Sequence, residues 1–293
     1  MSAITLHEVK HPNDAAADRY ERLIGIDEQK GLLVEYLTHI LDPDYLKRWQ
    51  RKHHPRGLSI AKRIEDRPPL LILAGEVGCG KTALATSVGS PVAKALDKRV
   101  VVLETPSDVR GGGLVGQLSE RVTAAFNEAR VRIGAHPGIL IIDEGDDLGT
   151  SRAQMQAHHE DRAGVNVLIK EIDRIARERL PLAVLMITNR FDALDPALVR
   201  RASVVRFVRP DAEARRKLFA HLLDGVQHLA RDIDGLVRAS EKNPPFTYSD
   251  IVERAAEAAL LASVRQDRPF CVAMLREAIE GLAPSPMLDD AVR

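Results

Sequence analysis

The run Gly75-Glu76-Val77-Gly78-Cys79-Gly80-Lys81-Thr82 meets the pattern G-x-x-x-x-G-K-[ST] at every fixed position. Glycines at those places let the backbone curl so that its N–H groups converge on one point. They also admit an oxyanion without a Cβ in the way. The cradle takes in Cys79 and Ala83, and the helix that follows aims its positive end at the same spot. Lys81 is placed to reach the outer phosphates of a polyphosphate, and the Thr82 hydroxyl to join the oxygen shell of Mg²⁺. The alternative is a chance glycine loop; the apolar strand before it and the helical run after it supply the context that phosphate capture needs.

Three further groups would turn capture into hydrolysis. Asp143 and Glu144 follow the apolar run ILII, where the carboxyl end of a strand in an α/β sheet meets its ligand. Asp143 suits the metal shell, and Glu144 suits a base that orients and deprotonates water. An acidic turn is the alternative reading. Asn189 stands just past another apolar run and offers an amide to position that water, or simply forms a turn. Arg200 and Arg201 precede a third run. An arginine there can stabilise transition-state charge in a neighbouring protomer, and at least one of the two reads as a solvated cation.

The elements that must hold these groups alternate. LLILA (70–74), VVVL (100–103), ILII (139–142), AVLMIT (183–188) and SVVRFV (203–208) are short apolar runs, as expected of parallel strands covered on both faces. Between them, Leu118, Val122, Phe126 and Ala129 recur at helical spacing, and so do Val165, Leu168, Ile169, Ile172 and Ile175. That is the α/β alternation of a doubly wound domain. After Pro210 the patterns are helical only: Ala212–Asp224, Val226–Ala239, Ser249–Val264 and Phe270–Leu282. Three segments are therefore expected: a flexible leader over 1–21, an α/β domain over 22–209 and a small helical domain over 210–293. Residues 47–67 read as a basic, irregular excursion around His53, His54 and Pro55. Without carboxylate or cysteine at ligand spacing, those histidines are read as part of a solvated basic face.

Composition bounds the rest. The 293 residues carry 42 Lys and Arg against 42 Asp and Glu, so no global field favours nucleic acid or an anionic membrane. Two cysteines, Cys79 and Cys271, build neither a disulfide framework nor a zinc site, and a reducing, cytoplasmic setting is expected. No apolar run is long enough to cross a bilayer, and Met1–Tyr20 is too polar for a signal peptide.

Taken in order, the four signals resemble an AAA+ ATPase over about residues 22–265. The resemblance implies a P-loop fold with a five-stranded parallel sheet and a helical lid, ATP and Mg²⁺ as ligands, and assembly into a homo-hexamer. It implies that Ile24, Gly25 and Ile26 contact the adenine, that TYSDIVERAAEAALL is the lid helix, and that Arg201 fits the trans-acting arginine better than Arg200. Ser249 stands where the family often keeps a lid arginine, and Arg254 is not assigned that role.

IIDEGDDLGTSR, DRAGVNVLIKEIDRI and LDPALVRRASVVRFV are similar to the pachytene-checkpoint type, which remodels HORMA-domain proteins and has bacterial versions in antiphage operons. That implies a HORMA-domain partner and a central loop gripping a flexible segment. The family pattern of that loop is aromatic–aliphatic–glycine; Leu114-Val115-Gly116 stands here, a weaker grip. His158 and His159 fall in a candidate second loop. The competing reading, a nucleic-acid ATPase of the clamp-loader or transposition-helper kind, needs a basic channel. Arg110, Arg152 and Arg162 are offset there by Glu160 and Asp161.

Overall fold

The computed structural model describes residues 4–106, 117–143, 145 and 159–287. The chain divides into two compact units. One takes in Met1–Tyr20, Gln29–Ala74 and Thr82–Arg206; the other takes in Glu21–Glu28, Gly75–Lys81 and Phe207–Arg293.

The first unit is organised by a sheet of order β1-β3-β4-β5-β2-β6. Its strands are β1 (His7–His11), β2 (Leu70–Gly75), β3 (Val100–Glu104), β4 (Gly138–Ile142), β5 (Leu182–Thr188) and β6 (Ala202–Phe207). The five apolar runs expected as strands are β2 to β6. β2, β4 and β5 are buried at every residue, the signature of strands covered on both faces. Helices α7 (Gln117–Ile133) and α8 (His159–Glu178) supply one cover. Their apolar stripe, with Val122, Phe126, Leu168 and Ile172 near zero exposure, joins the strands in one core. Each such side chain contributes about 1.5–3 kcal/mol by burial.

The sheet has six strands where five parallel ones were expected, and the sixth comes from the expected leader. β1 runs antiparallel to β3, with His7 opposite Glu104 and His11 opposite Val100. Leu6 enters the core, and Asn13 Oδ1 accepts the Ala16 N–H at 2.9 Å to start α1 (Asp14–Glu21). A long-range tie holds it there: the His11 Nδ1 meets the Ser90 hydroxyl at 2.9 Å, and its ring lies where a Cβ on Gly89 would be 2.4 Å away. Covering the β3 edge in this way leaves no long row of unpaired amides there. The strand escapes periodicity analysis because His7–His11 is polar and only its last residue is buried.

Helix α2 (Asp27–Leu41) buries Leu33, Leu37 and Leu41. The basic excursion is not irregular throughout: it holds α3 (Tyr45–His53) and α4 (Ser59–Glu65). α3 buries no side chain, so no apolar stripe announces it. Helices α5 (Lys81–Ser87) and α6 (Gly89–Leu96) follow the glycine loop, and α9 (Pro196–Val199) precedes β6.

The second unit is helical: α10 (Ala212–Leu222), α11 (Ala230–Ala239), a π-helical stretch over Asp250–Ala256 continuing into α12 (Glu257–Arg265), and α13 (Val272–Gly281). Phe219, Leu236, Phe246, Ile251 and Leu275 form its core. No helix among the described residues is long and apolar enough to cross a membrane.

Candidate functional site

β2 delivers the chain into the loop, and α5 takes it away. Gly75 has φ +152°, and a Cβ there would sit 2.0 Å from the Phe207 carbonyl oxygen, so no other residue fits. Gly78, at φ +75°, faces the Thr247 hydroxyl, 2.9 Å from its would-be Cβ, and its carbonyl accepts the Ser249 N–H at 3.1 Å. The loop is thus shaped by the start of the π-helical stretch as well as by its own glycines.

Lys81 is 5 % exposed. Its Nζ donates to the carbonyls of Gly75 at 2.8 Å and Glu76 at 2.6 Å, which fixes the cation over the loop. Cys79 is fully buried, and burial pushes its thiol up to about 11. At neutral pH it is a protonated small side chain rather than a nucleophile.

The segment Ile24-Gly25-Ile26 lies beside this loop. The Ile26 Cδ1 is 3.6 Å from the would-be Cβ of Gly80, and Ile24 packs on the helical core. Tyr248 donates its hydroxyl to the Gly25 carbonyl at 2.7 Å, and burial raises its pKa well above the ordinary range. Tyr248 therefore braces the expected adenine segment, a role that no motif announced.

In the sheet unit, the Thr82 hydroxyl donates to Asp143 Oδ2 at 3.2 Å. A hydroxyl and a carboxylate oxygen at this separation match the hard oxygen donors that Mg²⁺ takes, so the residues fit that ion. The register explains the meeting. Ala74 is level with Thr188, and Ile142 with Met186, so β2, β4 and β5 end near one rim. Asn189 leaves the same rim, half-buried.

Arg200 is exposed, whereas Arg201 is held within its own chain. Its Nε and Nη2 reach the two Asp173 oxygens at 3.1 and 3.3 Å, and Nη1 donates to the Ala197 carbonyl at 3.0 Å. Arg254 is likewise engaged, with Asp250 and Ser285. Glu144, Leu114, Val115, Gly116, Arg110, Arg152 and His158 lie outside the described residues. Ala83 is exposed in the first turn of α5. Among the described residues no group of three or more His, Cys, Asp or Glu gathers as a metal site.

Sequence reasoning missed a buried ion pair. Arg209 and Glu76 keep 8 % and 10 % of their side chains exposed, with Arg209 Nη2 and Glu76 Oε2 2.6 Å apart. A glutamate at a free position of the loop pattern and an arginine two residues after β6 belong to no motif.

The AAA model, described as the ATPase family associated with various cellular activities, matches residues 71–210. The chain is 37% identical to CD-NTase-associated protein 6 of Escherichia coli strain MS 115-1, across 96% of this chain and 95% of the relative. It is 33% identical to the protein of the same name from strain KTE188, over 95% of each. Among solved structures it resembles a chain of the E. coli MS115-1 HORMA:CdnC:Trip13 complex, with TM-score 0.88, 37% identity and 97% of each chain covered. It also resembles a Rhizobiales Trip13, with TM-score 0.76, 33% identity and 96% of this chain covered.

Proposed function

The chain belongs to the AAA family of ATPases, and from that premise we propose that it is an ATP-driven remodeller of a HORMA-domain protein, acting as a cytoplasmic homo-hexamer. The observation that carries this reading is the near-complete likeness, 97% of each chain, to a chain solved in a HORMA:CdnC:Trip13 complex. An antiphage setting is part of the proposal through the CD-NTase-associated relatives.

The chain's own residues divide the work. The loop amides and Lys81 hold the phosphates, while Ile24, Gly25 and Ile26 hold the adenine. Thr82 and Asp143 would hold Mg²⁺, which when bound offsets charge on the phosphate oxygens. Glu144 orients and deprotonates the attacking water, and Asn189 helps position it. Arg201, with Arg200 as the alternative, reaches a neighbouring protomer's nucleotide and stabilises charge in trans. For that, Arg201 must exchange Asp173 for phosphate oxygens. The products are ADP and phosphate. Leu114-Val115-Gly116 grips the partner by apolar contact, suited to limited pulling on a flexible segment.

The test combines the purified chain, a purified HORMA-domain protein and ATP. Glu144→Gln should trap a nucleotide-bound ring that retains the partner on size-exclusion chromatography. Leu114→Ala should hydrolyse ATP normally and fail to remodel. A Leu114→Ala chain that remodels at the normal rate would refute the threading role. Hydrolysis stimulated by DNA, with steep salt dependence, would restore the nucleic-acid reading.

A further inference from the structure

Glu76 poses an electrostatic problem. It occupies the second position of a loop read as a phosphate cradle, and its carboxylate is buried. Its own carbonyl accepts Lys81 Nζ at 2.6 Å, so the placement of the loop's cation depends on where this residue is held. An unpaired carboxylate there would work against a polyphosphate, because like charges in a poorly solvated site repel strongly.

Arg209 meets that carboxylate with a guanidinium anchored through all three of its nitrogens. Nε donates to Glu76 Oε2 at 2.6 Å. Nη1 donates to the carbonyls of Pro245 at 2.6 Å and Ser285 at 3.0 Å. Nη2 donates to the Pro286 carbonyl at 3.0 Å and stands 2.6 Å from Glu76 Oε2. All three guanidinium nitrogens thereby donate, in a planar fork that a lysine cannot copy. Cys79, inside the loop, feels both members: Glu76 raises its thiol pKa and Arg209 lowers it.

We propose that Arg209 is a positioning residue of the nucleotide loop, cancelling the Glu76 charge and tying the loop to the carbonyls of Pro245, Ser285 and Pro286. This rests on the reading of the loop as a nucleotide site. Arg209 acts through Glu76 and, by the Glu76 carbonyl, on Lys81. Segment 285–286 at the end of the described chain thereby becomes part of what sets nucleotide affinity.

The test is a double-substitution cycle on the full chain, read as the Kd of a fluorescent ADP analogue by anisotropy, with melting curves taken without nucleotide. Arg209→Met should weaken binding by about 10- to 100-fold, because it leaves a bare carboxylate in the loop. Glu76→Gln should bind within about threefold of wild type or tighter. The pair Glu76→Gln with Arg209→Met should return to within about threefold of wild type. A purely structural loss would not be rescued by Glu76→Gln, so an unrescued loss overturns the proposal. Wild-type affinity in Arg209→Met overturns it equally. Should Arg209→Met fail to fold, the double variant is compared with Glu76→Gln. The two should then bind alike, and a further loss of more than about tenfold refutes the role. A wild-type chain that does not bind the analogue would instead sink the nucleotide reading itself.

Discussion

The central strands of the sheet unit are dry. β2, β4 and β5 are buried end to end and carry no ionisable side chain. The helical unit, with its glycine loop, buries charge instead: Asp250 is 0 % exposed, Arg215 2 %, Lys81 5 % and Glu76 7 %. These charges have assigned partners. Asp250 accepts the N–H groups of Thr247 at 3.0 Å and Ser285 at 3.1 Å, and the Ser285 hydroxyl at 2.7 Å. Burial alone would raise its pKa, but those bonds and Arg254 hold it below the usual carboxylate range. Arg215 donates Nη1 to the Pro210 carbonyl at 3.1 Å. Apolar burial is non-directional and rewards area, so it stabilises a scaffold without dictating one geometry. A buried charge is costly unless its partners are placed, so it dictates geometry at the expense of stability. The contrast assigns stability to the sheet and precision to the loop and its supports.

The largest expected effect tests the precise side. Lys81→Ala should lower phosphate release by about 10³-fold or more and abolish nucleotide binding, while the melting temperature without nucleotide changes little. Retained binding would make the buried cation a structural group and erase the contrast. Next comes Arg201→Ala, expected to lower kcat by about 10³-fold in the assembled protein, with a smaller loss for Arg200→Ala. Mixing Arg201→Ala with Lys81→Ala subunits and finding restored hydrolysis would establish action in trans.

Ile72→Ala probes the dry side. It should cost about 2–5 kcal/mol in a denaturant titration and leave the Kd for ADP within about twofold. A large change in affinity would mean that the sheet core, too, sets site geometry.

The smallest effect concerns His11, the buried imidazole that ties β1 to α6. Burial, then the charge of Arg19, lowers the His11 pKa from 6.5 to about 4. A base with a depressed folded-state pKa binds fewer protons folded than unfolded between those values. Its contribution is therefore present above about pH 6.5 and is lost as pH falls toward about 4. The difference in unfolding free energy between wild type and His11→Gln should shrink by on the order of 2 kcal/mol across that window, read from urea midpoints. A constant difference would place His11 outside the linkage.

Much of the candidate site was legible because the chemistry proposed for it needs fixed residue types at fixed spacing. The Gly75–Thr82 run could be read since the positive φ angles at Gly75, Gly78 and Gly80 favour glycine, and Asp143 since it follows a wholly apolar strand. The helices carrying Phe126 and Ile172 announced themselves by period. His11, Tyr248 and Arg209 did not. Each acts through one partner remote in sequence, at Ser90, Gly25 and Glu76 respectively. Pairings of that kind leave no local pattern.

From the sequence alone came strands β2 to β6, the helices carrying Phe126 and Ile172, the helical pattern after Pro210, the glycine loop, and the resemblance to an ATPase, because periodicity and backbone stereochemistry are properties of neighbours along the chain. Only the tertiary structure decided that a polar leader would become an edge strand. It alone seated Thr82 against Asp143, folded Arg201 onto Asp173, and neutralised a loop glutamate with an arginine after β6. The physical reason is range: hydrogen bonds and ion pairs act over a few ångströms in space and are indifferent to separation along the chain.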